Sequence, residues 1–177
     1  MRVPLRVALP AALALAVACA SAPRGPPLAA RADAAREMDD WPEAERLYRE
    51  LAGRQPHNAD AWYGLGVAAL GQGRPRDAIP AFERGLALEE RASGRYNLAF
   101  ALTSAGRVEE ALPHYRRAVA LKPDYGLGWY GLARAEARLG HLEEAAAAVE
   151  RAQALRPADP EVQALAREIA AASKGRP

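Results

Sequence analysis

Only one cysteine, Cys19, occurs in the 177 residues. A lone thiol closes no disulfide within the chain, so packing alone must hold the fold. An excess of charge is missing as well. Lys+Arg total 24 and Asp+Glu 22, with no basic block and no acidic tail. Arg2 and Arg6 stand ahead of an apolar run, and without them the basic count falls to 22 and the net charge to zero. The small basic excess of the whole chain is therefore no argument for nucleic-acid binding. Long apolar runs are lacking too. The run from Val7 to Ala18 has 12 residues, and a membrane-spanning helix needs about 20.

The patterns that carry chemistry are missing in turn. There is no H-E-x-x-H, no G-x-S-x-G, no G-x-x-x-x-G-K-[ST] and no C-x-x-C. Gly64-Leu65-Gly66 lacks the third glycine of a dinucleotide loop. His57, His114 and His141 are far apart, with His114 read as a surface or packing residue and His141 as a polar residue after a turn. Glu109-Glu110 and Glu143-Glu144 occupy equivalent places at the starts of helices, where negative charge favours the N-terminus. These observations point to no catalytic residue, no metal ligand, no cofactor and no small-molecule substrate.

What is present is a repeat. Ala61-Trp62-Tyr63-Gly64-Leu65-Gly66, Arg95-Tyr96-Asn97-Leu98-Ala99 and Gly128-Trp129-Tyr130-Gly131-Leu132-Ala133 share one pattern. Each precedes a turn glycine (Gly73, Gly106, Gly140) and then a small residue (Ala78, Ala111, Ala145), with steps of 33 and 34 residues between the glycines. Such a period marks stacked helical hairpins. Small residues at Gly66, Ala99, Ala133 and at Ala78, Ala111, Ala145 let two helix axes approach closely. Phe82, Tyr115 and Val149 follow four residues later on the same face. The turn glycines end each first helix, and Pro123 and Pro157 end second helices. Pro80 and Pro113 fall early in second helices, where a mild kink is expected.

These residues resemble the tetratricopeptide repeat family, whose pattern runs W-x2-L-G-x2-Y, then A-x3-F, then P. The resemblance covers residues 25–159 as four repeats, 25–58, 59–91, 92–125 and 126–159, and residues 160–177 supply a capping helix and tail. It implies an all-α, right-handed superhelical solenoid of four helical hairpins plus that helix. The first repeat is degenerate: Arg31 stands where Leu belongs and Asp39 where Gly belongs, although Leu28, Ala32, Ala35 and Met38 keep an apolar stripe. Glu90 replaces the terminal Pro, Gly85 an Ala and Arg95 a Trp, and the 33-residue step predicts an altered turn near Glu89–Ala92.

The first 18 residues read as an export signal: charged start, apolar run, then small residues. Ala16-Val17-Ala18-Cys19 looks like a bacterial lipoprotein signal, with Ala16 where Leu is usual. That resemblance implies a lipidated Cys19 at the new N-terminus and, with Ala20 next, an outer-membrane lipoprotein facing the periplasm. The other reading is plain signal cleavage with Cys19 an incidental thiol. Residues 19–27 form a Pro/Ala-rich tether, and Ala20–Pro27 reach roughly 25 Å at about 3.1 Å per extended residue.

By the same family resemblance, first helices line a concave groove that holds a protein or peptide partner. The groove positions are Tyr63, Tyr96 and Tyr130, then Val67, Phe100 and Arg134, with Arg138 alongside and Asn97 placed to bond a bound peptide's backbone. Arg134 and Arg138, one turn apart, suit a carboxylate. The expected role is an envelope adaptor, with self-association as the alternative use of the same surface.

Overall fold

The computed structural model describes residues 25–174. The signal at 1–18, Cys19 and the tether as far as residue 24 lie outside the described residues. Within them the helices are α1 (Leu28–Glu37), α2 (Trp41–Arg54), α3 (Ala59–Gly71), α4 (Pro75–Leu88), α5 (Ala92–Ser104), α6 (Val108–Leu121), α7 (Gly126–Arg138), α8 (Leu142–Leu155) and α9 (Pro160–Lys174). No strand occurs among the described residues. The chain is an all-α helical repeat solenoid.

Each hairpin turns through a left-handed residue. Gly73, Gly106 and Gly140 have φ of +69°, +84° and +78°, and Asp39 takes the same place in the first hairpin at φ 56°. The next backbone N–H reaches back to the helix: Asp40 to the Ala35 carbonyl (2.9 Å), Arg74 to Ala69 (2.9 Å), Arg107 to Leu102 (2.9 Å) and His141 to Glu136 (3.0 Å). This six-to-one bond is the Schellman closure, so the hairpin without its glycine still closes like the others.

The connections between hairpins also repeat. Second helices stop before Pro56, Pro123 and Pro157, and the preceding residues Gln55, Lys122 and Arg156 swing to φ −133°, −139° and −136°. Six residues after each proline, a side chain ties back to its carbonyl: Trp62 Nε1 donates at 3.0 Å, Trp129 Nε1 at 2.9 Å and Gln163 Nε2 at 3.1 Å. The α4–α5 connection is one residue shorter and has Glu90 instead of proline. Arg95, at the tryptophan place, donates to the Glu90 carboxylate at 2.7 Å. Two departures from the repeat thus form one substitute tie. Pro80 and Pro113 lie inside α4 and α6, which run on through them.

Packing follows the small-residue code. Ala44, Ala78, Ala99, Ala111, Ala133 and Ala145 are 0% exposed, as are the rings of Phe82 and Tyr115 that fill between hairpins. The Phe82 ring lies so close to Gly66 that a Cβ there would sit 2.5 Å from it. Met38 corrects the apolar stripe expected for the first helix: it is 80% exposed. The physical reason is that α1 ends at Glu37, so Met38 is the cap and leaves the helical face. Successive odd helices touch (α1 with α3, α3 with α5, α5 with α7, α7 with α9), whereas no two even helices do. The odd helices therefore form the inner, concave wall.

Candidate groove on the concave face

Tyr63, on α3, is a strut rather than a free groove wall. It is 8% exposed. Its hydroxyl donates to the Glu89 carbonyl. A Cβ at Gly94 or Gly85 would lie 2.5 or 2.9 Å from its ring, and the Arg91 guanidinium sits 5.1 Å above it. Burial raises its pKa. Glycine at both facing places is what lets a tyrosine lie between α4 and α5. Half-buried Val67 and the buried Tyr63 edge a hollow of about 400 Å³ shared with Asp33, Arg36, Tyr48 and Asp60. There the Tyr48 hydroxyl donates to Asp33 Oδ1 at 2.6 Å and accepts from Arg36 Nε at 3.2 Å. Burial, then Asp33, pushes the Tyr48 phenol up to about 12.

The middle of the wall is aromatic. Tyr96 on α5 packs edge-on to Tyr115 (5.9 Å between centroids) and Tyr125 (5.5 Å), and stacks at 6.3 Å on Phe100. Burial pushes its phenol up to about 12. Phe100 stays half-buried. The half-buried side-chain amide of Asn97 makes no hydrogen bond to another described residue.

At α7 the wall becomes cationic. Arg134 stacks between two rings, 5.9 Å from the Phe100 centroid and 5.6 Å from that of Tyr130. Arg138 is exposed one turn further on. Tyr130, Arg134, Ala137 and Arg138 face Glu161, Ala164, Leu165 and Glu168 of α9 across a hollow of about 510 Å³. The structure thus gathers Tyr96, Phe100, Tyr130, Arg134 and Arg138 in one stretch and sets Tyr63 and Val67 apart at the N-terminal end. Sequence reasoning missed that α9 supplies the facing wall. The signal was available in the seven-residue spacing of Glu161 and Glu168, two turns apart on one face.

Several other charged residues tie one helix to another. Glu136, 2% exposed, accepts from Arg116 of α6 at 2.7 Å and pairs with His141 Nδ1 at 2.8 Å. His141 is thus the partner of a buried carboxylate, not only a polar residue after a turn. Burial opposes the charge of Glu45, yet bonds from Gln72, Arg74 and Arg49 hold its carboxyl below the usual range. Hydrogen bonds from Arg117, then Arg95, hold Glu90 down to about 2. Burial, then the Arg95 charge, pushes the His114 ring below its ordinary value. Among the described residues no group of three or more His, Cys, Asp or Glu is placed to hold a metal ion. No described helix is long and apolar enough to cross a membrane.

Family models described as tetratricopeptide repeat match residues 29–94, 65–126 and 102–169. Among solved structures, the first repeat domain of Spaghetti (RPAP3), bound to the HSP90 peptide SRMEEVD, is 25% identical with TM-score 0.65 over 66% of this chain and 94% of that one. YrrB, described as having an unusual peptide-binding site, is 22% identical with TM-score 0.72 over 82% of this chain and 75% of that one. PilW, described as a widely conserved type IV pilus biogenesis factor, is 20% identical with TM-score 0.74 over 83% and 69%. No curated protein matches the sequence.

Proposed function

The chain belongs to the tetratricopeptide repeat family, and on that premise we propose that it is an adaptor that holds a peptide segment of another protein in its concave groove. The observation that carries this is the inner wall itself. It offers half-buried Tyr96, Phe100 and Tyr130, an amide at Asn97 without a hydrogen-bond partner among the described residues, and cations at Arg134 and Arg138. Flat apolar rings with few rotatable bonds suit recognition of an extended chain or a helix face. The RPAP3 domain with its bound peptide gives a precedent for this use of the fold. In this reading the chain binds and positions, and performs no chemistry of its own.

The proposal extends to place. Cys19, lipidated at the end of the export signal, holds the solenoid at the outer membrane on the periplasmic side, and the client is an envelope protein. Multiple acyl chains give stable anchoring where one does not. The pilus biogenesis role described for PilW fits this setting.

The test is photocrosslinking in cells from Phe100, which is half-buried on the groove wall. One dominant envelope partner is expected, lost when Tyr130→Ala removes the neighbouring ring. Adducts to the chain itself alone would replace the adaptor with a self-assembling scaffold. Separately, Cys19→Ser is expected to release a folded protein from membranes, and unchanged membrane association would end the lipoprotein reading.

A further inference from the structure

We propose that the hollow between α7 and α9 reads a peptide carboxylate with a basic residue beside it. The inference rests on the groove being the working face and specifies what it selects. Arginines elsewhere along the inner wall are neutralised: Arg36 lies 3.9 Å from Asp33, and Arg91 lies 2.5 Å from Asp60. Arg134 and Arg138 have no carboxylate partner among the described residues. Arg134 is nevertheless held, with Phe100 and Tyr130 rings 5.9 and 5.6 Å from its guanidinium. Two rings near the guanidinium hold it in place, and with no carboxylate partner among the described residues its N–H groups are available to a planar, two-oxygen acceptor. Arg138 on the next turn adds a second donor group.

The opposite wall sets the sign of the neighbour. Glu161 and Glu168 line the same hollow, and neither pairs with an arginine within it. Two carboxylates facing two guanidinia repel a run of acidic residues or a polyanion. They admit an acid accompanied by a cation. Leu165, 7% exposed, and Ala164 give an apolar floor between the charged rows. About 510 Å³ of space lies within the range of ligand pockets, roughly 300–1,000 Å³. The occupant is therefore an extended segment of mixed charge, its acidic side chain on Arg134 and Arg138 and its basic one on Glu161 and Glu168.

The probes are capped, fluorescent decapeptide pools with Glu-Gly-Lys, Gln-Gly-Lys or Glu-Gly-Gln at the centre of randomised uncharged residues, titrated onto the full chain. The first pool is expected to bind at least tenfold more tightly than the others. R134Q/R138Q is expected to remove the preference for Glu, and E161Q/E168Q the preference for Lys. Equal binding of all pools, weakened throughout by Phe100→Ala, overturns the charge reading and leaves the groove standing. Absence of binding by any pool also overturns it, and crosslinking from Phe100 then decides whether the groove reading falls with it.

Discussion

Tyr115 is wholly buried, yet its hydroxyl has no well-formed hydrogen bond among the described residues, although Thr103 and Arg134 lie close to it. The Thr103 hydroxyl nearby donates at 2.8 Å to the Ala99 carbonyl. An unsatisfied buried polar group costs about 1–3 kcal/mol, so Tyr115→Phe is expected to leave stability unchanged or raise it in urea unfolding. A clear loss would mean the hydroxyl is bonded after all. Glycines give the opposite contrast. Gly94→Ala drives a methyl group to 2.5 Å from the Tyr63 ring, and such overpacking costs about 1–3 kcal/mol. Gly53→Ala, inside α2 with nothing within 4 Å of the new atom, should stabilise by about 0.5–1 kcal/mol. Equal effects of the two substitutions in the same unfolding assay would refute this account. The paired small positions were legible because their spacing is local. The fate of Tyr63 was not, because its burial depends on Gly85 and Gly94 in other helices.

At the scale of elements, the short α4–α5 connection is where the repeat departs most from itself. The missing residue was legible as the 33-residue step. That Arg95 and Glu90 replace the tryptophan-to-proline tie was not, since it needs their side chains in space. Arg117 of α6 joins them at 2.6 Å. Glu90 has its pKa lowered from 4.5 to about 2. A depressed carboxylate stabilises the fold above its unfolded value and loses that contribution as pH falls through the folded one. Glu90→Gln should therefore melt lower than the parent at neutral pH, and the gap should narrow between pH 4.5 and about 2. A gap independent of pH would show that charge is not the cause. The closing helix follows simpler rules. Asp159 caps it, accepting from Glu161 N–H at 2.9 Å, and Val162, Leu165 and Ile169 bury its inner stripe, as their spacing indicated. Ile169, 2% exposed, should cost about 2–5 kcal/mol when cut to alanine.

The whole molecule is a stack in which helices touch only near neighbours. Buried residues fall into two groups, one from Ala32 to Ala68 and a larger one from Ala59 to Ile169, meeting at α3. In such arrays stability sums over repeats and their interfaces. Hydrogen exchange should accordingly show α1 and α2 opening before α5 to α8, and uniform protection along the chain would contradict it. The solenoid as a class was legible, because one period recurs along the chain. The facing charges of α7 and α9 were legible only in part: the spacing of Glu161 and Glu168 puts them on one face, but which helix that face meets depends on how the closing helix docks. One feature of the stack has a mechanical meaning. Odd helices meet along the inside while even helices stay apart outside, so the body resists tightening through direct helix contact, whereas on the outer side side-chain ties such as Arg74 to Glu45 and Arg117 to Glu90 oppose unbending. Tightening and opening of such a body therefore meet resistance of different kinds, one from packed backbones and one from charged side chains.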